Sequence, residues 1–101
     1  MTRAQQLVAA AERLERLAAR TTAGEWGTGG LLATRPEVVA RYPDGGTEHV
    51  AEARARTAEW ITALSPAVAT PLAAWLRSVA SAEPVDDAAL GVARTLLERL
   101  P

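Results

Sequence analysis

The fold class is decided by the stretch VVARYPDGGTEHVA, residues 38–51, in which two β-prone segments flank a strong turn signal. In the turn Pro43-Asp44-Gly45-Gly46, proline presets φ and glycine accepts a positive φ. The pattern predicts an antiparallel hairpin that joins Val38–Tyr42 to Thr47–Ala51. A lone hairpin is marginally stable in water, so we expect it to pack against helices. An alternative stays open: Glu48–Leu64 contains neither Gly nor Pro and could form one long helix.

Helical patterns flank this segment on both sides. A helix is predicted over residues 3–21, where Thr2 and Gln5 form a capping box and leucines recur at three- and four-residue spacing. Strands are expected within residues 25–52, and further helices at about 54–64, 66–81 and 87–100, the last with Asp86 as its N-cap. The 66–81 helix either starts at Pro66 and kinks at Pro71, or starts at Pro71 after a short turn.

These elements predict an α+β fold, with a long N-terminal helix, a small antiparallel hairpin or three-stranded sheet, and two or three C-terminal helices. The 101 residues match the usual size of a domain, so residues 1–101 are expected to form one domain. Besides the hairpin, Trp26–Thr28 and Leu31–Thr34 are short β-prone runs. Trp60 and Trp75 fall on apolar helical stripes and are expected in the core. If either tryptophan were exposed, it would be a candidate binding anchor.

The composition excludes several classes of function. Cysteine is absent, which removes disulfides, thiolate nucleophiles and cysteine–zinc sites. A net charge of −1 gives no field that would attract nucleic acid or an acidic membrane. The chain contains no lysine, and the Walker phosphate-binding loop requires one. The glycines of residues 24–30 are therefore interpreted as turns. No signal peptide or membrane-spanning run is seen, and we expect a cytoplasmic protein.

Catalytic groups are few. His49 is the single histidine, and with Glu48 and Glu52 it could form a metal site. A zinc site, however, needs three or four protein ligands, usually with several His or Cys. Strand alternation would also place His49 towards solvent. The serines have no other candidate base. The adjacent carboxylates Asp86 and Asp87 are interpreted as stabilising a helix start. The sequence therefore predicts no enzyme, no metal and no cofactor.

Several segments carry a family resemblance. They are TAGEW at 22–26, VAE at 50–52, AEWITALSPAV at 58–68, PLAAWL at 71–76 and ALGVAR at 89–94. In this order they resemble small uncharacterised proteins of actinobacteria and actinophages, and similar layouts occur in the ead-like phage proteins. Ala23 and Glu25 stand where that family has prolines beside its tryptophan. The resemblance implies a phage or mobile-element setting and a strand at Val50, and it supplies no catalytic residues. The absence of Lys and Asn also fits a GC-rich genome.

The function expected from these observations is a non-catalytic protein of phage or prophage type that binds a host protein, as an anti-defence or host-takeover inhibitor. Candidate ligand- or partner-binding residues are Trp26, Arg35, Arg41, Tyr42, Arg54 and Arg56. An alternative is a sponge that binds a nucleotide signal through these arginines and a tryptophan. A third is an assembly protein.

Two further expectations concern partners. The helical stripes at both ends of the chain could pack together and close the domain, or they could form a homodimer interface. They consist of Leu7, Leu14, Leu17, Leu90, Leu97 and Leu100. Binding to DNA is disfavoured because the charges of residues 35–56 sum to zero, and nonspecific DNA binding depends on uncompensated basic charge.

Overall fold

The computed structural model describes residues 1–29 and 36–101 and confirms the α+β class. The elements are α1 (Arg3–Ala18), β1 (Glu25–Gly29), β2 (Glu37–Arg41), β3 (Thr47–Glu52), α2 (Ala55–Ala63), a 3-10 turn (Pro66–Val68), α3 (Ala69–Ala80) and α4 (Asp87–Arg99). The expected strand at Leu31–Thr34 lies outside the described residues. None of the helices in the described ranges is long and apolar enough to cross a membrane.

Internal contacts divide the chain into two compact units. The helical unit consists of residues 1–21 and 68–101, and the sheet unit consists of residues 22–67. The helical unit contains α1, α3 and α4, and the sheet unit contains the strands and α2. The expectation of one domain over residues 1–101 stays a prediction, and each unit is described by itself.

The sheet unit is built on the predicted hairpin. Its strands lie in the order β1-β2-β3, and both neighbouring pairs are antiparallel. At the turn, Gly45 has φ +87°, and Gly46 donates its N–H to Asp44 Oδ1 at 2.8 Å. Tyr42 donates its N–H to the Gly46 carbonyl oxygen at 2.9 Å, which closes the hairpin. Residues 47–52 are therefore a strand, and the long helix from Glu48 does not form.

Helix α2 packs against β1 and β2. Among the described residues of this unit, Val38 and Ala40 on β2 and Ala58 on α2 are fully inaccessible to solvent. Because strand side chains alternate between faces, Val38 and Ala40 point to one side of the sheet and Val39 and Arg41 to the other. The small side chain of Ala58 lets the helix lie close to the strands.

The helical unit has a core composed mainly of alanine. α1 packs along both α3 and α4, while α3 and α4 contact each other at few positions. The buried cluster contains Leu7, Ala10, Ala11, Ala73, Leu76, Ala89 and Ala93. Both predicted N-caps are present: Thr2 and Gln5 form the capping box of α1, and Asp86 accepts the Ala89 N–H at 2.9 Å.

Two helix boundaries differ from expectation. α1 ends at Ala18 rather than at residue 21, and Thr21 instead donates both its N–H and its hydroxyl to the Ala18 carbonyl oxygen. Of the two alternatives for the following helix, the structure agrees with a short turn before the helix, a 3-10 turn over Pro66–Val68, but the helix begins at Ala69 rather than at Pro71. Pro71 then lies in the first turn of α3, where its missing N–H removes no helical hydrogen bond.

The expected burial of the tryptophans is wrong for both helices. Trp60 is 67% exposed and Trp75 is 42% exposed. Alanines take the inward positions instead: Ala58 on α2, and Ala69 and Ala73 on α3. Helices that approach their neighbours through alanine leave too little space for an indole ring in the interface. The two indole rings are consequently turned outwards, whereas Leu76 of α3 is fully buried.

Candidate functional site

The candidate site is an exposed apolar surface on α2. Trp60 is 67% exposed and Leu64 is 54% exposed. In a helix of 3.6 residues per turn, Trp60 lies about 200° round the axis from the buried Ala58, so its side chain points away from the sheet. Leu64 follows one turn later, on the same side. Arg56 precedes Trp60 by one turn, and we call Arg56, Trp60 and Leu64 the α2 patch.

The local sequence keeps this surface open. α2 has only nine residues, and Leu64 is its C-cap, with its N–H donated to the Trp60 carbonyl oxygen at 3.1 Å. Ser65 then accepts the Ala67 N–H at 3.4 Å, and Pro66 begins the 3-10 turn. Because the helix ends at this point, Leu64 lies on the last turn and remains exposed.

The polar end of the patch is formed by an ion pair. The Arg56 side chain is 91% exposed, and its Nη1 lies 3.2 Å from Glu59 Oε2 and 3.3 Å from Glu59 Oε1. Exposed pairs of this kind contribute little to stability, since water screens them and the side chains lose entropy. The Arg56 guanidinium can therefore turn towards a carboxylate of a binding partner at small cost.

Two of the residues expected in a site have local structural partners. Trp26 is half-buried and donates its indole N–H to the Thr22 carbonyl oxygen at 3.0 Å, which ties down the segment before β1. Tyr42 donates its hydroxyl to Glu48 Oε2 at 2.6 Å across the hairpin. This hydrogen bond to a carboxylate raises the pKa of Tyr42 above its ordinary value.

The candidate arginines lie on different parts of the sheet unit. Arg41 extends over β1, where its Nη2 donates to the Thr28 carbonyl oxygen at 3.3 Å and its guanidinium occupies the space above Gly27. Arg54 is the N-cap residue of α2 and is exposed. Since Arg41 points away from the face that holds Val38 and Ala40, it does not converge with Arg56 on α2. Arg35 lies outside the described residues.

His49 is exposed on β3, as strand alternation predicts. Its Nδ1 lies 2.7 Å from Glu37 Oε2 on the neighbouring strand, a contact that sequence proximity to Glu48 and Glu52 did not indicate. Within residues 1–29 and 36–101, no group of three or more His, Asp or Glu side chains is placed to hold a metal ion.

The leucine stripes at the two ends of the chain pack within the helical unit. Leu7 is fully buried and Leu90 is 3% exposed, so neither side chain is accessible to a second molecule. The remaining leucines of the stripes are half-buried: Leu14, Leu17, Leu97 and Leu100. A homodimer through these stripes stays a prediction.

Comparisons with protein-family models, with curated proteins and with solved structures give no significant match to the chain. The resemblance to actinobacterial and phage proteins accordingly stays a prediction. The geometry of the α2 patch is then the strongest available support for a function.

Proposed function

We propose that the protein is a non-catalytic binding protein that docks onto another protein through the α2 patch. The observation that carries this proposal is the outward position of Trp60, two-thirds exposed, with Leu64 one turn away. Tryptophan and arginine are enriched among the residues that dominate protein interfaces. Side chains at positions i and i+4 are also the anchors by which an amphipathic helix occupies an apolar groove.

The partner that fits this surface has an apolar groove with a carboxylate at one end. Trp60 and Leu64 supply the apolar anchors, and Arg56 supplies the charge. The phage-type resemblance of the sequence supports a host protein as that partner, with inhibition by occupation as the mode of action. The nucleotide-binding and assembly alternatives for the physiological role stay predictions.

Photo-crosslinking tests the proposal directly. A photoreactive amino acid at Leu64 should capture one protein from an actinobacterial lysate, because Leu64 lies inside the proposed interface. The same probe combined with Trp60→Ala should lose the crosslink, since an interface anchor contributes about 2 kcal/mol or more, which is roughly 30-fold in affinity. Trp75→Ala, the same substitution outside the patch, should retain it.

The identified protein is then purified and titrated with the chain by calorimetry. The proposal requires a one-to-one complex that Trp60→Ala weakens by roughly 30-fold, and circular dichroism should show that the variant remains folded. If no protein is captured, or if the captured protein binds the Trp60→Ala variant as tightly as the unmodified chain, the α2 patch is not the binding surface.

A further inference from the structure

A second apolar surface lies within the helical unit, where a groove of about 480 Å³ runs between α1 and α3. Its apolar lining consists of Ala4, Val8 and Ala9 from α1 and Ala80 from α3. Small side chains make the floor shallow and leave space above it for a larger group. Clefts of roughly 300–1,000 Å³ hold small-molecule ligands, so this groove is large enough for one bulky apolar side chain.

One end of the groove is acidic. Glu12 and Arg77 both line it, but Arg77 is held by Glu15, whose Oε1 lies 2.5 Å from Arg77 Nη2. This contact lowers the pKa of Glu15 and fixes the Arg77 guanidinium. Glu12 is exposed and has no ion pair among the described residues. Glu12 also acts electrostatically on Arg77 over a longer distance. Two carboxylates, those of Glu12 and Glu15, therefore lie near one guanidinium at this end, and the remaining negative charge can attract a cation.

We infer that the groove receives the α2 patch of a second copy of this chain. From Arg56 to Leu64 the helix rises about 12 Å, and from Ala4 to Glu12 it rises about 12 Å as well. With the two helices antiparallel, Arg56 meets Glu12 at one end of the groove. Leu64 reaches Ala4 at the other end.

The middle of the groove receives the tryptophan in the same register. Trp60 lies four residues from each end of the patch, which places it over Val8 and Ala9 on α1. Ala9 and Ala80 have no side-chain atoms beyond Cβ, so the indole ring can enter between the two helices. The positions of the charges, the lengths of the two helical segments and the sizes of the side chains are therefore all satisfied by this one alignment of the two helices.

This inference rests on the proposed function, because self-association uses the same α2 patch as the external partner. A copy whose patch is seated in another copy cannot bind that partner. Self-association would thus regulate binding through the concentration of the chain itself. The contact joins two different surfaces, so it is heterologous, and each copy offers one patch and one groove.

Sedimentation equilibrium of the purified chain, from micromolar to millimolar concentration, tests the inference. The average mass should rise with concentration. Trp60→Ala removes the anchor and Ala9→Arg fills the groove and opposes Arg56, and each should weaken association by roughly 30-fold. The controls Trp75→Ala and Ala19→Arg, which lie outside the patch and the groove, should associate like the unmodified chain.

Mixing the two impaired variants provides the decisive result. The Trp60→Ala chain retains an open groove and the Ala9→Arg chain retains an intact patch. An equimolar mixture should therefore form a one-to-one heterodimer at concentrations at which each variant alone is monomeric. Association that survives either substitution, or a mixture that stays monomeric while the unmodified chain associates, would overturn the inference. So would an unmodified chain that remains monomeric at millimolar concentration.

The two proposals fail separately. A chain that stays monomeric but crosslinks to a lysate protein through the Leu64 probe retains its proposed function and loses only self-association. A chain that self-associates in the expected manner but captures no other protein retains the contact between copies and loses the external partner.

Discussion

Replacing Leu76 by alanine tests how the helical unit is held together. Leu76 and Leu7 are the largest fully buried side chains of this unit, and the rest of the buried cluster is alanine. Loss of three carbon atoms removes about 2.4 kcal/mol of transfer free energy, at roughly 0.8 kcal/mol for each. The fully buried neighbours other than Leu7 are alanines, which have no side-chain torsion with which to fill the cavity. If the partly buried side chains packed against the cluster, such as Leu72 and Leu97, do not move in, the total loss should reach about 4 kcal/mol, within the range of about 2–5 kcal/mol for such changes.

Urea unfolding followed by far-ultraviolet circular dichroism measures this loss. Leu64→Ala is the matched control, because Leu64 is 54% exposed and its truncation should change the free energy of unfolding by less than about 0.5 kcal/mol. A domain of this size is stable by only about 5–15 kcal/mol, so the Leu76→Ala chain should unfold at a clearly lower urea concentration. A loss below about 2 kcal/mol would refute the idea that the alanine core cannot relax.

Three other perturbations follow from local geometry. Gly24→Ala should destabilise the chain by more than about 1 kcal/mol, because φ is +90° and a Cβ would lie 2.9 Å from a β2 carbonyl oxygen. Gly27→Ala is the control, since its Cβ would displace only the Arg41 guanidinium. Equal melting temperatures for the two variants would contradict the predicted strain at Gly24. Tyr42 is the single tyrosine, and its ultraviolet titration should have a midpoint above about 10. Glu48→Gln should lower that midpoint, because the hydrogen bond to Glu48 is the largest cause of the raised pKa, while desolvation and Asp44 remain. Since the folded pKa is raised, the stability that Tyr42 contributes is present below pH 10 and lost as pH rises through that pKa. A midpoint unchanged by Glu48→Gln would be evidence against the hydrogen bond. Asp86→Ala should lower the free energy of unfolding, measured with denaturant, by about 1 kcal/mol because it removes the cap of α4. Asp86→Asn should be nearly neutral, since asparagine also caps helices. Equal losses of stability in the two variants would show that the charge of Asp86 matters rather than its capping hydrogen bond.

Features set by neighbouring residues could be predicted from the sequence. The hairpin turn forms because Gly45 supplies the positive φ and Asp44 accepts a backbone N–H two residues on. The caps at Thr2 and Asp86 form for the same local reason, since a side-chain oxygen satisfies a helix N–H three residues ahead. Interactions of this range depend on a few torsion angles, and the residue types specify them.

Leu7 of α1 and Leu90 of α4 are buried, as the predicted stripes of these helices indicate, but the buried faces of α2 and α3 could not be predicted in the same way. The expected faces followed the large apolar residues, including Trp60 and Trp75, whereas the buried positions include Ala58 and Ala73. In an alanine-rich helix, both a wide stripe of large residues and a narrow stripe of alanines can face a neighbour. The choice depends on the separation of the packed elements, which is a tertiary property.

The candidate site shows the same division. Arg41 and Arg56 lie in one short stretch of sequence, which suggested a common anion site. Arg41 is on strand β2, whose side chains alternate between the two faces of the sheet, and Arg56 is on helix α2. The two arginines therefore lie on different surfaces. The pairing of His49 with Glu37 depends on the β2–β3 register, with its irregularity between Val38 and Val39. Residue identity indicated the chemistry available, and the register determined which groups meet.

The alanine cores also explain why the large side chains are available for binding. In the sheet unit, α2 presents Ala58 to the strands, so the helix lies too close to them for an inward Trp60. In the helical unit, alanines along α1 and α3 leave a groove that no side chain of these helices fills. Exposed indole surface and unfilled groove are both apolar areas in contact with water, and each lowers its free energy when covered. Packing through small side chains therefore leaves apolar surface, that of Trp60 above all, exposed to water, where the two proposed contacts would cover it.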